Sequence, residues 1–186
     1  MKNEYRRLGK FKDSEFAFQT SWDNDGEQTS TVAHEPRENT SGCWHSTRSD
    51  SFRGGVRYGI FTIPAAKLIG DQGCLVAMDA LSDYTNRVSK KVQAAGLKNV
   101  RVVKRDALDT GLDAVSIDKV LLFGVIPFPF LPLNRLLPEM HRIIKPEGRL
   151  AVWLFPVSGW VPKWILQSGL FAYVSKLNGV YNYRRC

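Results

Sequence analysis

The aliphatic side chains that could build a hydrophobic core are confined to the last two thirds of this 186-residue chain. Residues 1–58 contain only four Leu, Ile, Val or Met residues, whereas residues 59–186 contain 41. Residues 1–50 are rich in Ser, Thr, Asn, Asp, Glu and Gly and lack the apolar period of a helix or strand. We therefore predict an irregular or poorly ordered segment over residues 1–50 and one folded domain over residues 51–186.

Apolar, β-branched runs alternate with helix-like segments through the folded part of the chain. A parallel sheet covered by helices on both faces produces this alternation, because its strands are buried on both sides. We expect Ser82 to cap the second helix, and Pro146 and Gly148 to end the third. The pattern predicts an α/β fold with a doubly wound, mostly parallel sheet. The predicted strands are residues 74–79, 100–106, 117–125 and 149–155, and the predicted helices are residues 60–70, 82–96 and 132–148.

The C-terminal segment carries an Asn-Gly pair between two alternating segments. Asn178-Gly179 is a strong signal for a tight turn, so we predict a C-terminal antiparallel β-hairpin. Upstream, residues 150–174 contain one charged side chain, that of Lys163. Interrupting Pro and Gly residues favour strand, loop and helix there over a transmembrane segment. Trp153, Trp160 and Trp164 are expected to line the core or a pocket more than to dock on a membrane, and a lid over a lipophilic substrate stays open.

The net charge of +8 belongs to the part of the chain that is predicted to fold. Residues 1–58 hold 9 basic and 9 acidic side chains, whereas residues 59–186 hold 17 basic and 9 acidic ones. A basic domain can attract an anionic partner. The sequence nevertheless lacks the mixture of basic and aromatic residues that marks a nucleic-acid stacking surface, so a nucleic-acid partner is disfavoured.

The three cysteines are widely spaced and show no C-x-x-C pattern. This spacing favours reduced thiols, and it predicts neither a disulfide framework nor a metal site. The N-terminal sequence M-K-N-E-Y-R-R is followed by mixed polar residues without an apolar h-region. We therefore expect a cytoplasmic protein, and the sequence does not indicate an oligomeric state.

Two of the predicted strands end on an aspartate. Asp79 follows the run C-L-V-A-M, and Asp106 follows V-R-V-V-K-R. Ligands of open α/β sheets bind beyond the carboxyl ends of the strands, at the switch point. An acid there can accept hydrogen bonds from both hydroxyls of a ribose, and the neighbouring strand end can receive an adenine ring. These positions predict an adenosine-containing cofactor, and a turn-capping role for each aspartate stays open.

Several ordered motifs extend over residues 59–153. They are F-T-I-P-A-A-K-L-I-G, L-V-A-M-D-A, V-R-V-V-K-R-D-A, D-K-V-L-L-F-G and L-P-E-M-H-R-I-I-K-P-E-G-R-L-A-V-W. In this order they resemble class I S-adenosylmethionine-dependent methyltransferases, especially the subgroup that acts on quinone precursors and other small molecules. The resemblance implies a Rossmann-like fold, S-adenosylmethionine as the cofactor, and methyl transfer to a small or lipophilic acceptor.

The resemblance also implies roles for individual residues, although it indicates no catalytic one. Asp79 would bind the cofactor ribose, and Asp106 would read the amino edge of the adenine. His141 matches a helix feature of the family, and we expect a surface or packing residue. The neighbouring positions that would flank the adenine or line the methyl-transfer site are Ala80, Leu81, Ala107, Phe123 and Gly124.

The glycine-rich loop departs from the pattern of the family. The family has a strand, an acid and then G-x-G-x-G before F-T-I-P, whereas this chain reads S-F-R-G-G-V-R-Y-G. Gly55 and Gly59 match and are expected to contact the cofactor, but Arg57 replaces the central glycine and Arg53 the acid. Arg57 would place a long side chain where the cofactor approaches. Residues 46–53 also make a poor strand, so we expect the sheet to lose its central member.

Two explanations of this departure stay open. The N-terminus is a natural, diverged one, or residues 1–58 are translated out of frame and rejoin the true frame near Tyr58. Codons allowed for residues 43–57, read one nucleotide later, can encode A-G-I-R-P-G-A-T-A-F-G-A-G-Y-G, which supplies a conventional glycine loop. Sequencing the gene across codons 40–60 separates the two, because an intact single frame excludes the second.

Other functions stay open beside methyl transfer. Arg53 and Arg57 favour a catalytically inactive, methyltransferase-like binding module. The 24-residue spacing between Gly55 and Asp79 also suits an NAD-binding protein, and the net charge leaves a nucleic-acid methyltransferase open. Hydrolase and metalloenzyme functions are disfavoured, because the sequence shows no Ser-His-Asp, Cys-His or H-E-x-x-H arrangement. Methyl transfer from a sulfonium requires alignment more than acid–base groups.

Overall fold

The computed structural model describes residues 51–54, 59–126, 131–154 and 159–186. The segment over residues 1–50, predicted to be irregular, lies outside the described residues. The strands are β1 (Ser51–Gly54), β2 (Leu75–Asp79), β3 (Val100–Lys104), β4 (Ile117–Phe123), β5 (Ile144–Trp153), β6 (Phe171–Leu177) and β7 (Val180–Arg185). The helices are α1 (Thr62–Ile69), α2 (Ser82–Ala94), α3 (Leu133–Ile143) and α4 (Val161–Gln167).

The seven described strands form one sheet in the order β3-β2-β1-β4-β5-β7-β6. Neighbours among β1 to β5 are parallel, and β7 is antiparallel to both β5 and β6. The order changes direction at β1, which lies between β2 and β4 and is therefore the switch point. The predicted α/β fold, a Rossmann-like, doubly wound and mostly parallel sheet with a C-terminal antiparallel β-hairpin, is confirmed.

Helices cover both faces of the sheet. Leu75 and Leu121 belong to the core cluster under α1, while Ala77 packs with α2. Val76 and Leu122 point to the other face, where they join the larger cluster under α3 and α4. Because successive strand residues alternate between faces, a strand that is covered on both sides is apolar throughout. This explains the continuous apolar runs in the sequence.

The sheet keeps its central strand, contrary to the prediction from the sequence. β1 pairs with β2 along its whole length, from Ser51 opposite Leu75 to Gly54 opposite Met78. On its other side, the first three residues of β1 pair with β4. Two neighbouring strands offer complete rows of backbone donors and acceptors, so pairing can specify a strand whose side chains are poor strand formers. The expected loss of the central strand is therefore wrong.

The start of α2 differs from the prediction by one residue. Ser82 is the first helical residue, and Leu81 is the N-cap, with no side-chain hydrogen bond to the helix. The end of α1 is as predicted, because Gly70 is its C-cap and donates its N–H to the Ala66 carbonyl at 3.2 Å. Asn99 strengthens that end, since its Nδ2 donates to the Ala66 carbonyl at 2.7 Å and to the Gly70 carbonyl at 2.9 Å.

The boundary between α3 and β5 is the largest difference in the described elements. α3 ends at Ile143, and Pro146 and Gly148 lie within β5 instead of ending the helix. The start of β5 bulges against β4, where the register is irregular. A Cβ atom on Gly148 would lie 2.8 Å from the Asp118 carbonyl oxygen. The glycine thus permits a close approach of two strands, as at other bulges.

The predicted hairpin is confirmed. β6 and β7 are antiparallel and are joined by Asn178 and Gly179, whose φ angles are 48° and 83°. Two consecutive left-handed residues are the geometry of a type I′ turn, which explains why an Asn-Gly pair is a strong signal.

Two expectations about the environment of the protein can be compared with the structure. Among the described residues, every helix is too short or too polar to span a bilayer. Cys186 is an exposed free thiol, which agrees with the expectation of a reduced cysteine at that position. Cys43 lies outside the described residues.

Candidate functional site

Asp79 and Asp106 lie at the same edge of the sheet. Asp79 is the last residue of β2 and pairs with Lys104, the last residue of β3. The N–H of Arg105 donates to the Asp79 carbonyl at 3.1 Å, and Asp106 follows directly. β3 therefore ends two residues before Asp106, earlier than predicted. Both aspartates nevertheless lie at the carboxyl ends of adjacent strands, at the edge of the sheet beside the switch point at β1, which we call the site edge.

The turn after β2 holds the Asp79 side chain. Its Oδ1 accepts a hydrogen bond from the N–H of Leu81 at 3.0 Å, and Asp79 is only 8% exposed. The next two residues are Ala80, which is exposed, and Leu81, which is 57% exposed. An apolar side chain thus lies in solvent directly beside a fixed carboxylate. This arrangement is suited to a nucleoside, which has a flat apolar base and a ribose with hydroxyl donors.

Asp106 begins a tight turn after β3. Its Oδ1 accepts a hydrogen bond from the N–H of Leu108 at 2.9 Å, and its carbonyl accepts one from Asp109 at 3.1 Å. Asp106 itself is exposed, whereas Ala107 is half-buried against the larger core cluster. Each aspartate therefore has the turn-forming role that the sequence left open. This role does not compete with ligand binding, because an ionised carboxylate has about four acceptor sites.

Glu139 of α3 fixes the loop that follows Asp106. Its Oε1 accepts hydrogen bonds from the N–H and the hydroxyl of Thr110. Arg142 donates to the two Glu139 oxygens at 2.7 and 2.8 Å and to the Leu112 carbonyl at 2.8 Å. We call Thr110, Leu112, Glu139 and Arg142 the Glu139 clamp. The clamp is not evident from the sequence, because the only local signal is an acid and an arginine three residues apart on a helix.

The clamp makes stability depend on pH. Arg142 is the main cause that lowers the pKa of Glu139 from 4.5 to about 2. A carboxyl with a depressed pKa in the folded state stabilises the fold above its unfolded value, and this stabilisation is lost as the pH falls from about 4.5 towards 2. We predict that Glu139→Gln lowers the free energy of unfolding at neutral pH by about 1–2 kcal/mol. The difference from the unsubstituted protein should shrink in acid.

Urea unfolding at several pH values between about 7 and 3 measures this difference. Glu147→Gln is a matched control, because Glu147 is an exposed residue of β5. A destabilisation by Glu139→Gln that stays constant over this range would show that the carboxylate charge is not its cause.

Gly59, the last residue of the glycine-rich segment, packs against α2. Its φ angle is +69°, and a Cβ atom there would lie 3.2 Å from Cγ2 of Val88 in α2. Both the backbone and the packing against α2 therefore favour glycine. Gly55 and Arg57 lie outside the described residues. Arg53 is the next-to-last residue of β1, which places its backbone near the carboxyl end of the central strand.

Phe123 is the last residue of β4, and it is only 2% exposed. Its ring packs edge-on against Phe61 of the first helical segment, with centroids 5.5 Å apart, in the same cluster as Trp153. Gly124 follows and donates its N–H to the Trp153 carbonyl at 3.1 Å. The Phe123 side chain thus contributes to the core, and its predicted contact with a cofactor would come from its backbone.

His141 has surroundings typical of a packing residue. Its ring lies edge-on to Phe171, with centroids 5.8 Å apart, and its Nε2 is 2.9 Å from the Cys186 carbonyl oxygen. These contacts join α3 to the C-terminal hairpin. Over the described ranges, no group of three or more His, Cys, Asp or Glu side chains could hold a metal ion.

Comparison with known proteins identifies the family. A family model described as a methyltransferase domain matches residues 54–148, more than half of the chain. The chain belongs to this family. The matched residues include β2, β3 and β4 and therefore both aspartates of the site edge. The resemblance to class I S-adenosylmethionine-dependent methyltransferases is confirmed, and S-adenosylmethionine is the cofactor of that class.

Curated relatives match the same region. A demethylmenaquinone methyltransferase of Bacillus cereus is 30% identical over 91 residues, which are 48% of this chain and 38% of the relative. The demethylmenaquinone methyltransferase of Geobacillus stearothermophilus is 32% identical over 89 residues, 47% of this chain and 37% of the relative. The chain thus matches less than half of the length of these relatives.

Solved structures share the fold over a longer part of the chain. A SAM-dependent methyltransferase from Aquifex aeolicus has a TM-score of 0.64 at 22% identity, over 74% of this chain and 81% of its own. The geranyl diphosphate C-methyltransferase of Streptomyces coelicolor, solved with S-adenosyl-L-homocysteine, has a TM-score of 0.60 at 12% identity, over 76% of this chain and 77% of its own. These similarities establish the architecture.

Proposed function

We propose that this protein transfers a methyl group from S-adenosylmethionine to a small or lipophilic acceptor. The observation that carries the proposal is the arrangement of Asp79 and Asp106 at adjacent strand ends, with the exposed Leu81 beside them. This arrangement occurs in a chain of the methyltransferase-domain family. The cytoplasmic location stays a prediction from the sequence.

The residues at the site edge match the chemistry of an adenosine group. The Asp79 carboxylate would accept hydrogen bonds from the ribose hydroxyls, and such charge-assisted bonds are stronger than neutral ones. Leu81 and Ala107 would provide apolar contacts for the adenine, and Asp106 would accept from its amino group. The N–H groups of Leu81 and Leu108 each donate to one of these carboxylates before a ligand binds, which lowers the entropy cost of binding.

Little acid–base chemistry is required of the chain. The cofactor supplies a methyl group that is already activated by the positive charge on its sulfur. The tasks of the protein are to bind, to align the acceptor with the methyl group and to exclude water. Gly59 contributes by letting the chain pass close to α2, next to Val88. The proposal therefore assigns binding residues and no catalytic base.

The class of acceptor is suggested by the relatives. The curated relatives are named demethylmenaquinone methyltransferases, which supports a lipophilic acceptor, although they match this chain over less than half of their length. The fold alone does not decide the reaction, because a [4+2]-cyclase, SpnF, shares it with a TM-score of 0.60 at 13% identity, over 72% of this chain and 54% of its own.

A catalytically inactive binding module is the second candidate. It is favoured by Arg53 and Arg57, which stand where the family has an acid and a glycine. The long side chain of Arg57 would hinder the approach of a ligand to the backbone, for which glycine is selected, and Arg53 puts a positive charge where the family has a carboxylate. Methyl transfer requires that the cofactor site accept its ligand in spite of these two arginines.

Calorimetric titration of the full chain with S-adenosylmethionine and S-adenosylhomocysteine tests the proposal. We expect saturable binding of both ligands, with NAD as a control that does not bind. Arg57→Gly is expected to strengthen binding if the arginine side chain obstructs the site. Absence of heat and of a thermal shift with both ligands in the unsubstituted chain would refute the enzyme. Binding by Arg57→Gly alone would then identify an inactivated methyltransferase-like module.

A further inference from the structure

The short helix α4 buries one side and exposes a large apolar surface on the other. Val161 and Ile165 are fully buried in the core cluster. Trp160, which precedes the helix, is 48% exposed, and Trp164 is 55% exposed. The expectation that these tryptophans line the core is wrong for both, because α4 needs only two side chains to pack on the sheet.

The outward side of α4 combines apolar and basic groups. Successive residues of a helix are rotated by about 100° around its axis. Lys163 therefore points away from the sheet, opposite to the two buried side chains. The two tryptophans lie on one side of Lys163, and Leu166 lies on its other side. Leu166 is 45% exposed. The tryptophan rings pack edge-on with centroids 5.8 Å apart, so they are held together before any partner binds. We call Trp160, Lys163, Trp164 and Leu166 the α4 outer face.

The chain segment that contains this face carries only positive charges. From Gly148 to Cys186 the chain contains no Asp or Glu and five basic residues, Arg149, Lys163, Lys176, Arg184 and Arg185. β6 lies beside α4 and adds an exposed Tyr173 and an exposed Val174 at the edge of the sheet. The C-terminal part of the domain therefore offers tryptophan, tyrosine and lysine without any acid to repel an anion.

We propose that the α4 outer face docks on the surface of a bilayer that contains anionic phospholipids. Tryptophan and tyrosine favour the headgroup region because each has an apolar ring and a polar N–H or O–H. Lys163 can extend its ammonium group to phosphates while its alkyl chain stays among apolar groups. The observation that selects an anionic surface is the absence of acids throughout this part of the chain.

The position of α4 gives the docking a function. α4 follows β5, which is parallel to β2 in the sheet, so the carboxyl end of β5 lies at the same edge as Asp79. Trp160 is the first residue of the outer face after that end. Docking would bring this edge close to the bilayer, where a lipophilic acceptor is concentrated. The docking itself does not depend on methyl transfer, so its test is independent of the proposed function.

Flotation of the full chain with vesicles tests the proposal, without cofactor. We expect binding to vesicles of equal parts phosphatidylcholine and phosphatidylglycerol, weaker binding to phosphatidylcholine alone, and a decrease with added salt. Trp160→Ala with Trp164→Ala should weaken binding to the anionic vesicles about tenfold or more. Lys163→Glu should weaken it by about the same factor, since it reverses one charge at the surface.

Lys90→Glu is the matched control for charge, because Lys90 is an exposed residue of α2 on the opposite face of the sheet. It should leave vesicle binding within about twofold of the unsubstituted protein, since it lies away from the docked surface. Thermal melts confirm that the variants are folded. Absence of vesicle binding, or an equal loss in Lys90→Glu and Lys163→Glu, would overturn the proposal. A dimer in sedimentation that the tryptophan substitutions abolish, without vesicle binding, would also overturn it and assign the face to a second copy.

Discussion

Asp79→Asn is expected to weaken the binding of S-adenosylhomocysteine about 10- to 100-fold. Asparagine has almost the same shape as aspartate and keeps an oxygen that can accept from the Leu81 N–H. It loses the negative charge and one of the two acceptor oxygens that would hold the ribose hydroxyls. The loss should therefore appear in binding and not in folding. Calorimetric titration measures the affinity, and urea unfolding measures the stability.

Asp83→Asn is the control for this substitution. Asp83 is an exposed residue in the first turn of α2, four residues beyond Asp79. It is not among the residues proposed to contact the ligand. Its substitution should leave the affinity within about twofold, apart from the small effect of a helix dipole. Unchanged affinity of Asp79→Asn, in a chain that does bind the ligand, would remove Asp79 from the cofactor site.

Most of the sheet could be predicted because its strands are buried on both faces. β2 and β4 are such strands, and their apolar runs predict their positions to within two residues. The Asn178-Gly179 turn was also predictable, since two left-handed residues leave few alternatives. β1 could not be predicted from the sequence, because this strand depends on backbone pairing with strands that are distant in the sequence.

The boundary between α3 and β5 shows a second limit. Pro146 and Gly148 normally end a helix, and in this chain the helix has already ended at Ile143. The glycine instead permits a bulge against the Asp118 carbonyl. The presence of Pro and Gly correctly indicated a break in regular structure. It could not distinguish a helix end from a bulge, because a bulge depends on pairing with a neighbouring strand that is distant in the sequence.

The candidate site was predictable only where a strand end carries the functional group. Asp79 and Asp106 were found in this way, and the structure brings both to one edge. Phe123 was inferred from the family resemblance instead, and its side chain points into the core. Glu139 was missed, because its partner Thr110 lies 29 residues away in the chain. Positioning residues of this kind require the fold before they can be recognised.

The largest effect on stability is expected at Tyr183 of β7. Its side chain is fully buried in the larger core cluster, and its ring lies edge-on to that of Tyr173. Tyr183→Ala should lower the free energy of unfolding by about 3–5 kcal/mol, because it removes a buried aromatic ring and leaves a cavity. The hydroxyl has the opposite effect. It has no hydrogen-bond partner within the described part of the chain, and burial raises its pKa.

Tyr183→Phe should therefore leave stability unchanged or raise it by about 1 kcal/mol, since it removes a buried polar atom whose desolvation is not compensated. Tyr173→Phe is the control, because Tyr173 is about half exposed and its change should stay within about 0.5 kcal/mol. Urea unfolding of the three variants measures these differences. A loss of more than about 1 kcal/mol in Tyr183→Phe would mean that the hydroxyl is hydrogen-bonded in the folded protein. The opposite signs expected at one position separate the contribution of the ring from that of its hydroxyl.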